Sequence, residues 1–289
     1  MEKRSVSLVL GAGGARGYAH IGVINWLDDR GFDIRSIAGS SMGALIGGIY
    51  AAGQLDTYTE WVRALERHDV LQLLDLSFGS SGLFKGERVI QTLRDLIGDY
   101  NIEDLPLSFT AVATDLDAEK EVWLSRGSLF DALRASIAIP TLFMPFHYQG
   151  RRLVDGGLVN PLPIAPTLRD MTDLTIAVNL NGRDDPTFEQ SNPVGATGTE
   201  NRYRHIFGKF IEDLLGKQPE EHEITELGLF DIISQSLDTM QNSIARLKLA
   251  SYSPDIIIEI PRNACRFYEF HRTDEIIALG RQRAEAALT

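Results

Sequence analysis

The chain has 289 residues, 44% hydrophobic and 24% charged, the make-up of a soluble globular protein with one large domain or two small ones. With 40 acidic and 28 basic side chains it carries a net charge of −12, which argues against nucleic-acid binding and against standing attraction to anionic membranes, since both need clustered Lys and Arg. The one cysteine, Cys265, excludes an intrachain disulfide and a Cys-based zinc site; the apolar run at residues 6–10 is too short for a signal peptide, and no run reaches the ~18 apolar residues of a membrane span. The expected setting is the cytoplasm.

Residues 5–10 form a β-rich run that leads into Gly11-Ala12-Gly13-Gly14-Ala15-Arg16-Gly17, and helical spacing of Ile21, Ile24 and Leu27 predicts a helix over 18–29. A glycine loop between strand and helix invites a dinucleotide-binding reading, but the spacing fails in both registers, with Arg16 or Ala12 where a glycine is needed. No nucleotide or other cofactor, and no metal, is therefore expected. The better reading is a loop of outward-facing N–H groups able to hold an oxyanion, with Gly13 and Gly14 allowing close approach. Arg16 would anchor that loop or meet a phosphate.

Residues 34–38 read as a buried strand and 44–52 as a buried helix stopped by Gly53, with Gly39-Ser40-Ser41-Met42-Gly43 between them. G-x-S-x-G between strand and helix is the context of a nucleophile elbow: small neighbours permit the sharp turn, and the helix points its N–H groups at the developing charge. Helices are predicted over 57–67 and 85–97, a flexible Gly/Ser segment over 77–82, strands over 109–114 and 121–124, and a helix over 128–137 ended by Pro140. Two extended runs, 144–148 and 151–154, meet across Gln149-Gly150 as a hairpin and deliver Asp155-Gly156-Gly157.

After a strand at 174–180, residues 181–199 are linker-like, and two amphipathic helices follow. One carries Tyr203, Phe207, Phe210, Ile211 and Leu214; the other carries Phe230, Ile233, Leu237, Met240, Ile244 and Leu247. The expected role of both is to face the core, the competing one a lid or lipid-contacting cover. A strand at 255–260 and a helix at 274–288 close the chain. Alternating strands and helices predict one α/β domain with a mainly parallel sheet, in which a segment at about 181–250 is inserted before the last strand and helix.

A serine nucleophile needs a base. The histidines at 20, 68, 147, 205, 222 and 271 are scattered, only His271 falls late enough for the Ser-acid-His order, and only one strand precedes the serine. The alternative is a Ser–Asp dyad with Asp155 taking the Ser41 proton.

Val9 to Gly17 with His20-Ile21-Gly22-Val23, Gly39 to Gly43, Ala113-Thr114-Asp115-Leu116, Arg134 to Pro140 and Val154-Asp155-Gly156-Gly157 together resemble the patatin-like phospholipase family, in its bacterial and neuropathy-target-esterase branch. The likeness covers roughly residues 5–180, with a weaker echo at 254–258. Its one departure is Ala12, where the glycine-loop motif usually opens with glycine. The resemblance implies a three-layer α/β/α fold and hydrolysis of lipid acyl esters, lysophospholipid or phospholipid. It implies Ser41 as nucleophile, Asp155 as base, Gly13 and Gly14 in the oxyanion hole, and the Met42 N–H as a further donor. The implied partner is a lipid or acyl ester, met during transient contact with a membrane surface. A general carboxylesterase or acyltransferase, or an adaptor that keeps the fold without turnover, are the competing readings.

Overall fold

β1 (Ser5–Leu10) is buried along its whole length, as a strand must be when it lies inside a parallel sheet covered on both faces. The computed structural model describes residues 3–65, 84–140, 142–188 and 226–289, with side chains from 235 onward in the last segment. Besides β1 the sheet contains β2 (Asp33–Ser40), β3 (Ser108–Asp115), β4 (Lys120–Leu124), β5 (Phe146–Tyr148), β6 (Arg151–Asp155), β7 (Leu174–Gly182) and β8 (Ile256–Pro261). Their order is β5-β6-β3-β2-β1-β7-β8, with β4 also paired to β3. The run from β3 to β8 is parallel, and the pairs β3/β4, β3/β6 and β5/β6 are antiparallel.

Alternation along β1 assigns the layers. Val6, Leu8 and Leu10 point into the larger core. There they meet α1 (Ala19–Asp29), α2 (Met42–Ala51), α3 (Leu55–Ala64), α4 (Glu87–Ile97), α5 (Leu129–Ser136) and α7 (Thr273–Leu288). Val9 points the other way, into a smaller cluster of Leu162, Ile164 and Ala177 closed by Ala245 of α6 (Glu226–Tyr252). The result is a three-layer α/β/α arrangement around a mostly parallel sheet.

Several boundaries differ from the sequence reading. The first helix begins at Ala19, because Gly14–Tyr18 forms a tighter 3₁₀ turn that the glycines permit. β7 continues to Gly182, past the expected linker start. α5 opens where Ser128 Oγ accepts the N–H of Asp131 at 3.3 Å, a side-chain N-cap. The segment 77–82, the helix expected over 203–215 and most of the linker lie outside the described residues. The second amphipathic segment is α6, and its docked face is not the whole apolar stripe: Ala245 is buried, whereas Met240 and Leu247 are 50% and 68% exposed.

α1 and α7 cross with their backbones in contact. A Cβ added at Gly22 would lie 1.9 Å from the Ile277 carbonyl oxygen, and one at Gly280 would lie 2.0 Å from that of Ala19. Gly22→Ala is therefore expected to push the two helices apart. Overpacking of this kind costs about 1–3 kcal/mol, a drop of about 2–10 °C in melting temperature by differential scanning calorimetry. An unchanged transition would show that the crossing yields freely.

Candidate active site

At the end of β2 the chain reverses within one residue. Ser41 has φ 54° and ψ −124°, a left-handed conformation that a non-glycine residue holds only against strain, and α2 starts at the next residue. The turn closes because its flanks lack side chains: a Cβ on Gly43 would stand 2.1 Å from the Leu10 carbonyl oxygen, and one on Gly39 would stand 2.5 Å from the Ala44 nitrogen. Two hydrogen bonds hold the strained residue. The Ser41 N–H donates to Ser136 Oγ at 3.0 Å, and Ser136 Oγ–H donates to the Val112 carbonyl at 2.6 Å. Ser136 thus ties the end of α5 to both the elbow and β3.

Asp155 arrives from the opposite strand direction. Along β3, Val112 pairs with Ser40 of β2, and the next residue, Ala113, pairs with Asp155 of β6. β4 occupies the other edge of β3 over 111–115, so β2 and β6 share one edge end to end. The Asp155 backbone is held there by its N–H to the Ala138 carbonyl at 2.9 Å and by Thr114 Oγ1–H to its own carbonyl at 2.9 Å. Its Oδ2 accepts the Ser41 Oγ–H at 2.5 Å, and its Oδ1 accepts the Gly157 N–H at 2.7 Å. The two side chains are 4% and 3% exposed. Burial raises the Asp155 carboxyl from its ordinary 3.8 to about 6, against the opposing pull of the bonds from Ser41 and Gly157.

Among the described residues no histidine reaches this pair. His20 is buried with Nε2 2.9 Å from the Gly11 carbonyl, and desolvation lowers it to about 4, so it stays neutral. His147 and His271 are exposed at the surface.

The glycine loop lies across from the serine. The N–H groups of Gly11, Ala12 and Ala15 go to the carbonyls of Val178, Pro161 and Phe267. Those of Gly13 and Gly14 enter no hydrogen bond among the described residues. Gly14 has φ 57°, and a Cβ there would lie 2.4 Å from the Phe267 carbonyl oxygen, so only glycine fits. Gly13, Gly14, Ser41 and Asp155 line one cavity of about 60 Å³, walled by Ile139, Pro140, Leu142, Leu158 and Phe267 and roofed by Leu237, Asp238 and Gln241 of α6. Ala12 also lines it, with its own N–H already bonded.

Met42 supplies the first N–H of α2, a position without an intrahelical acceptor, while its side chain packs away from the cavity against Gly17. Arg16 does not line the cavity. Its buried guanidinium donates to the carbonyls of Arg262 at 3.0 Å and Cys265 at 3.5 Å and to Asn181 Oδ1 at 3.4 Å, and it lies 3.6 Å from the Asp238 carboxylate. In the sequence Thr114 and Ser136 stand only as parts of motifs, and no motif marks Asp238, Gln241 or Phe267. The amphipathic pattern of α6 was the one signal that could have pointed to its contribution.

A family profile described as patatin-like phospholipase matches residues 8–168. NTE family proteins of Mycobacterium tuberculosis and Mycobacterium bovis are each 40% identical over 327 aligned positions, covering 98% of this chain and 91% of theirs. Neuropathy target esterase sws of Drosophila melanogaster is 34% identical over 63% of this chain and 13% of its own length. Among solved structures, VipD from Legionella pneumophila aligns over 99% of this chain and 67% of that one, with a TM-score of 0.49 at 15% identity.

Two outcomes follow from the geometry. Ser136→Ala takes from the buried Ser41 N–H its acceptor, and an unsatisfied buried group costs about 1–3 kcal/mol, which urea denaturation will report as a lowered midpoint. Asp155→Asn should act in the other direction. Because the folded-state pKa of Asp155 lies above its unfolded value, ionisation costs stability as pH rises from about 4 to about 6, and that cost persists above. Asparagine can accept the Gly157 N–H through Oδ1 and donate from Nδ2 to Ser41 Oγ without the charge, so the variant should be about 2–3 kcal/mol more stable than the parent at pH 8 and no more stable at pH 4. Equal stability at both pH values would show that the carboxylate is not desolvated.

Proposed function

The chain belongs to the patatin-like phospholipase family, and we propose that it hydrolyses carboxylic ester bonds of lipids, lysophospholipid or phospholipid, through a Ser41–Asp155 dyad and an acyl-enzyme. One observation carries the reading: Ser41 Oγ–H donates to Asp155 Oδ2 at 2.5 Å, with both residues buried and lining one cavity. A carboxylate at its ordinary value is a poor base for an alcohol; burial that lifts it to about 6 brings it toward neutrality while leaving it ionised at pH 7.

In this mechanism Ser41 Oγ attacks the ester carbonyl carbon as its proton passes to Asp155 Oδ2. The negative charge on the carbonyl oxygen is met by the N–H groups of Gly13, Gly14 and Met42, while Arg16 holds their loop in place from behind. Collapse of the tetrahedral intermediate breaks the bond to the leaving alcohol, which takes the proton from Asp155. Water then attacks the acyl-Ser41 ester, gives a proton to Asp155, and releases the fatty acid as Ser41 Oγ is reprotonated. The water-excluding walls of Ile139, Leu142, Leu158 and Phe267 suit an acyl chain. Among the described residues no helix is long and apolar enough to cross a membrane, and the proposed encounter with lipid is a transient one from the cytoplasm. An adaptor has no use for a strained serine beside a desolvated carboxylate, which sets the non-enzymatic reading aside.

A fluorophosphonate probe should label the chain at Ser41, and Ser41→Ala should lose both the label and, by a factor on the order of 10³ or more, hydrolysis of a long-chain lysophospholipid. The base must be ionised, so kcat/KM should be flat above pH 7 and fall about tenfold per unit below a pKa of about 6. Label at another residue, or a limb near 7 removed by substituting a histidine, would replace the dyad.

A further inference from the structure

The family profile ends at residue 168, yet the cavity above Ser41 and Asp155 is completed by α6, which begins at Glu226. That helix is fixed in rotation as well as position. Ala245, Leu249 and Tyr252 pack on Val9, Leu162, Ile164 and Ala177. Lys248 pairs with Glu121 at 3.5 Å, and Asp238 reaches Arg16 at 3.6 Å. Held this way, α6 turns Leu237, Asp238 and Gln241 to the cavity, Gln241 being four positions from Leu237 and three from Asp238 on one helical face.

These three differ in what they leave available. Leu237 is apolar, and Asp238 is engaged by Arg16. Gln241 presents a carboxamide with donors and an acceptor, and it has no hydrogen-bond partner among the described residues. Its place is defined by Gly157. A Cβ added there would meet Gln241 Nε2 at 2.9 Å and Asp155 Oδ1 at 3.0 Å, so the carboxamide and the carboxylate come together at Gly157, beside the cavity space that both residues line.

That space has a chemical identity if the dyad reading holds, on which this inference rests. Asp155 must pass its proton to the leaving alcohol in the first half of the reaction and take one from water in the second, so both oxygens pass close to its carboxylate. We propose that Gln241 is a further catalytic residue, which holds the deacylating water between its carboxamide and Asp155. The water accepts a hydrogen bond from Gln241 Nε2–H and donates one to Asp155, which takes that proton as the water oxygen attacks the acyl carbonyl carbon. The Ser41 Oγ–C bond breaks, Asp155 returns the proton to Ser41 Oγ, and the free carboxylic acid leaves. Acylation does not need that water, so loss of Gln241 falls on the second half-reaction alone. The cavity of about 60 Å³ that Gln241 and Asp155 both line has room for such a water.

The test separates the half-reactions on the full chain with p-nitrophenyl butyrate in stopped flow. For Gln241→Leu the expected result is a burst of about one p-nitrophenolate per active site at the parent rate, a steady-state kcat about tenfold lower, an unchanged fluorophosphonate labelling rate, and butyryl-Ser41 in intact-mass spectra during turnover. Gln241→Glu removes the donor and adds a like charge beside Asp155, so the acid limb of its kcat profile should move to higher pH, a change a merely structural role would not produce. An unchanged kcat in Gln241→Leu overturns the proposal. So does an equal fall in burst and steady-state rates, or a rise in KM with kcat preserved, which would assign Gln241 to packing or to the alcohol part of the substrate. Failure of the parent chain to label at Ser41 would overturn the dyad itself and this inference with it; normal labelling with unaffected Gln241→Leu turnover would overturn this inference alone.

Discussion

The site depends on an exchange of partners along one strand. β3 pairs with β2 as far as Val112 and Ser40, and from Ala113 onward the same edge is taken over by β6. A parallel neighbour ends where an antiparallel neighbour ends, so the residue after β2 and the last residue of β6 are brought side by side: Ser41 and Asp155. Gly156 is required by the same junction, since a Cβ there would stand 2.1 Å from the Val112 carbonyl oxygen and 2.7 Å from Ser40 Oγ. The contact between Ser41 and Asp155 is thus a consequence of backbone pairing, which is stiffer than any loop.

What surrounds the junction keeps water out and strain in. Ser41 is held in its left-handed turn by Ser136, which in turn is held by β3. The glycine loop is fixed by its outer N–H groups, leaving the inner ones of Gly13 and Gly14 unused, and Arg16 binds it to the carbonyls of Arg262 and Cys265 and to α6. Every polar group around the cavity is therefore either pinned in the scaffold or directed at the place where an ester would react. The dryness that results raises the carboxyl of Asp155 to about 6. In the proposed dyad such a carboxylate takes the part an imidazole plays elsewhere, and the histidine nearest in sequence to the loop, His20, is confined to holding the Gly11 carbonyl.

α6 adds a division of labour between the two sides of one helix. Its inner face closes the cavity with Leu237, Asp238 and Gln241, and its outer face leaves Met240 and Leu247 largely in solvent. The charge balance is consistent with such a surface. With a net charge of −12, the proposed encounter with lipid would rest on apolar contact more than on attraction to anionic headgroups.

Much of this was legible from the chain. The elbow can be read because all its requirements are local: a strand, a serine between glycines and a helix within about a dozen residues. The free N–H groups of the loop follow from glycine spacing, and Asp155 stands out as a carboxylate at a strand end before two glycines. Periodicity alone located most strands and helices, and the ordered motifs pointed to the family. What residue patterns could not supply was proximity. Ser41 and Asp155 are 114 positions apart, and only the shared edge of β3 brings them within 2.5 Å. Thr114 and Ser136 looked like motif letters because their work is done on backbone atoms far away in sequence. For α6 the pattern misled, since an apolar stripe reports that a helix is amphipathic and not which face will dock. Its orientation is set by Ala245 fitting against Val9 and Ala177 and by two ion pairs. Local chemistry was written in the order of the residues; the pairing of the dyad, its desolvation and the roof above it arise only when distant segments exclude water together.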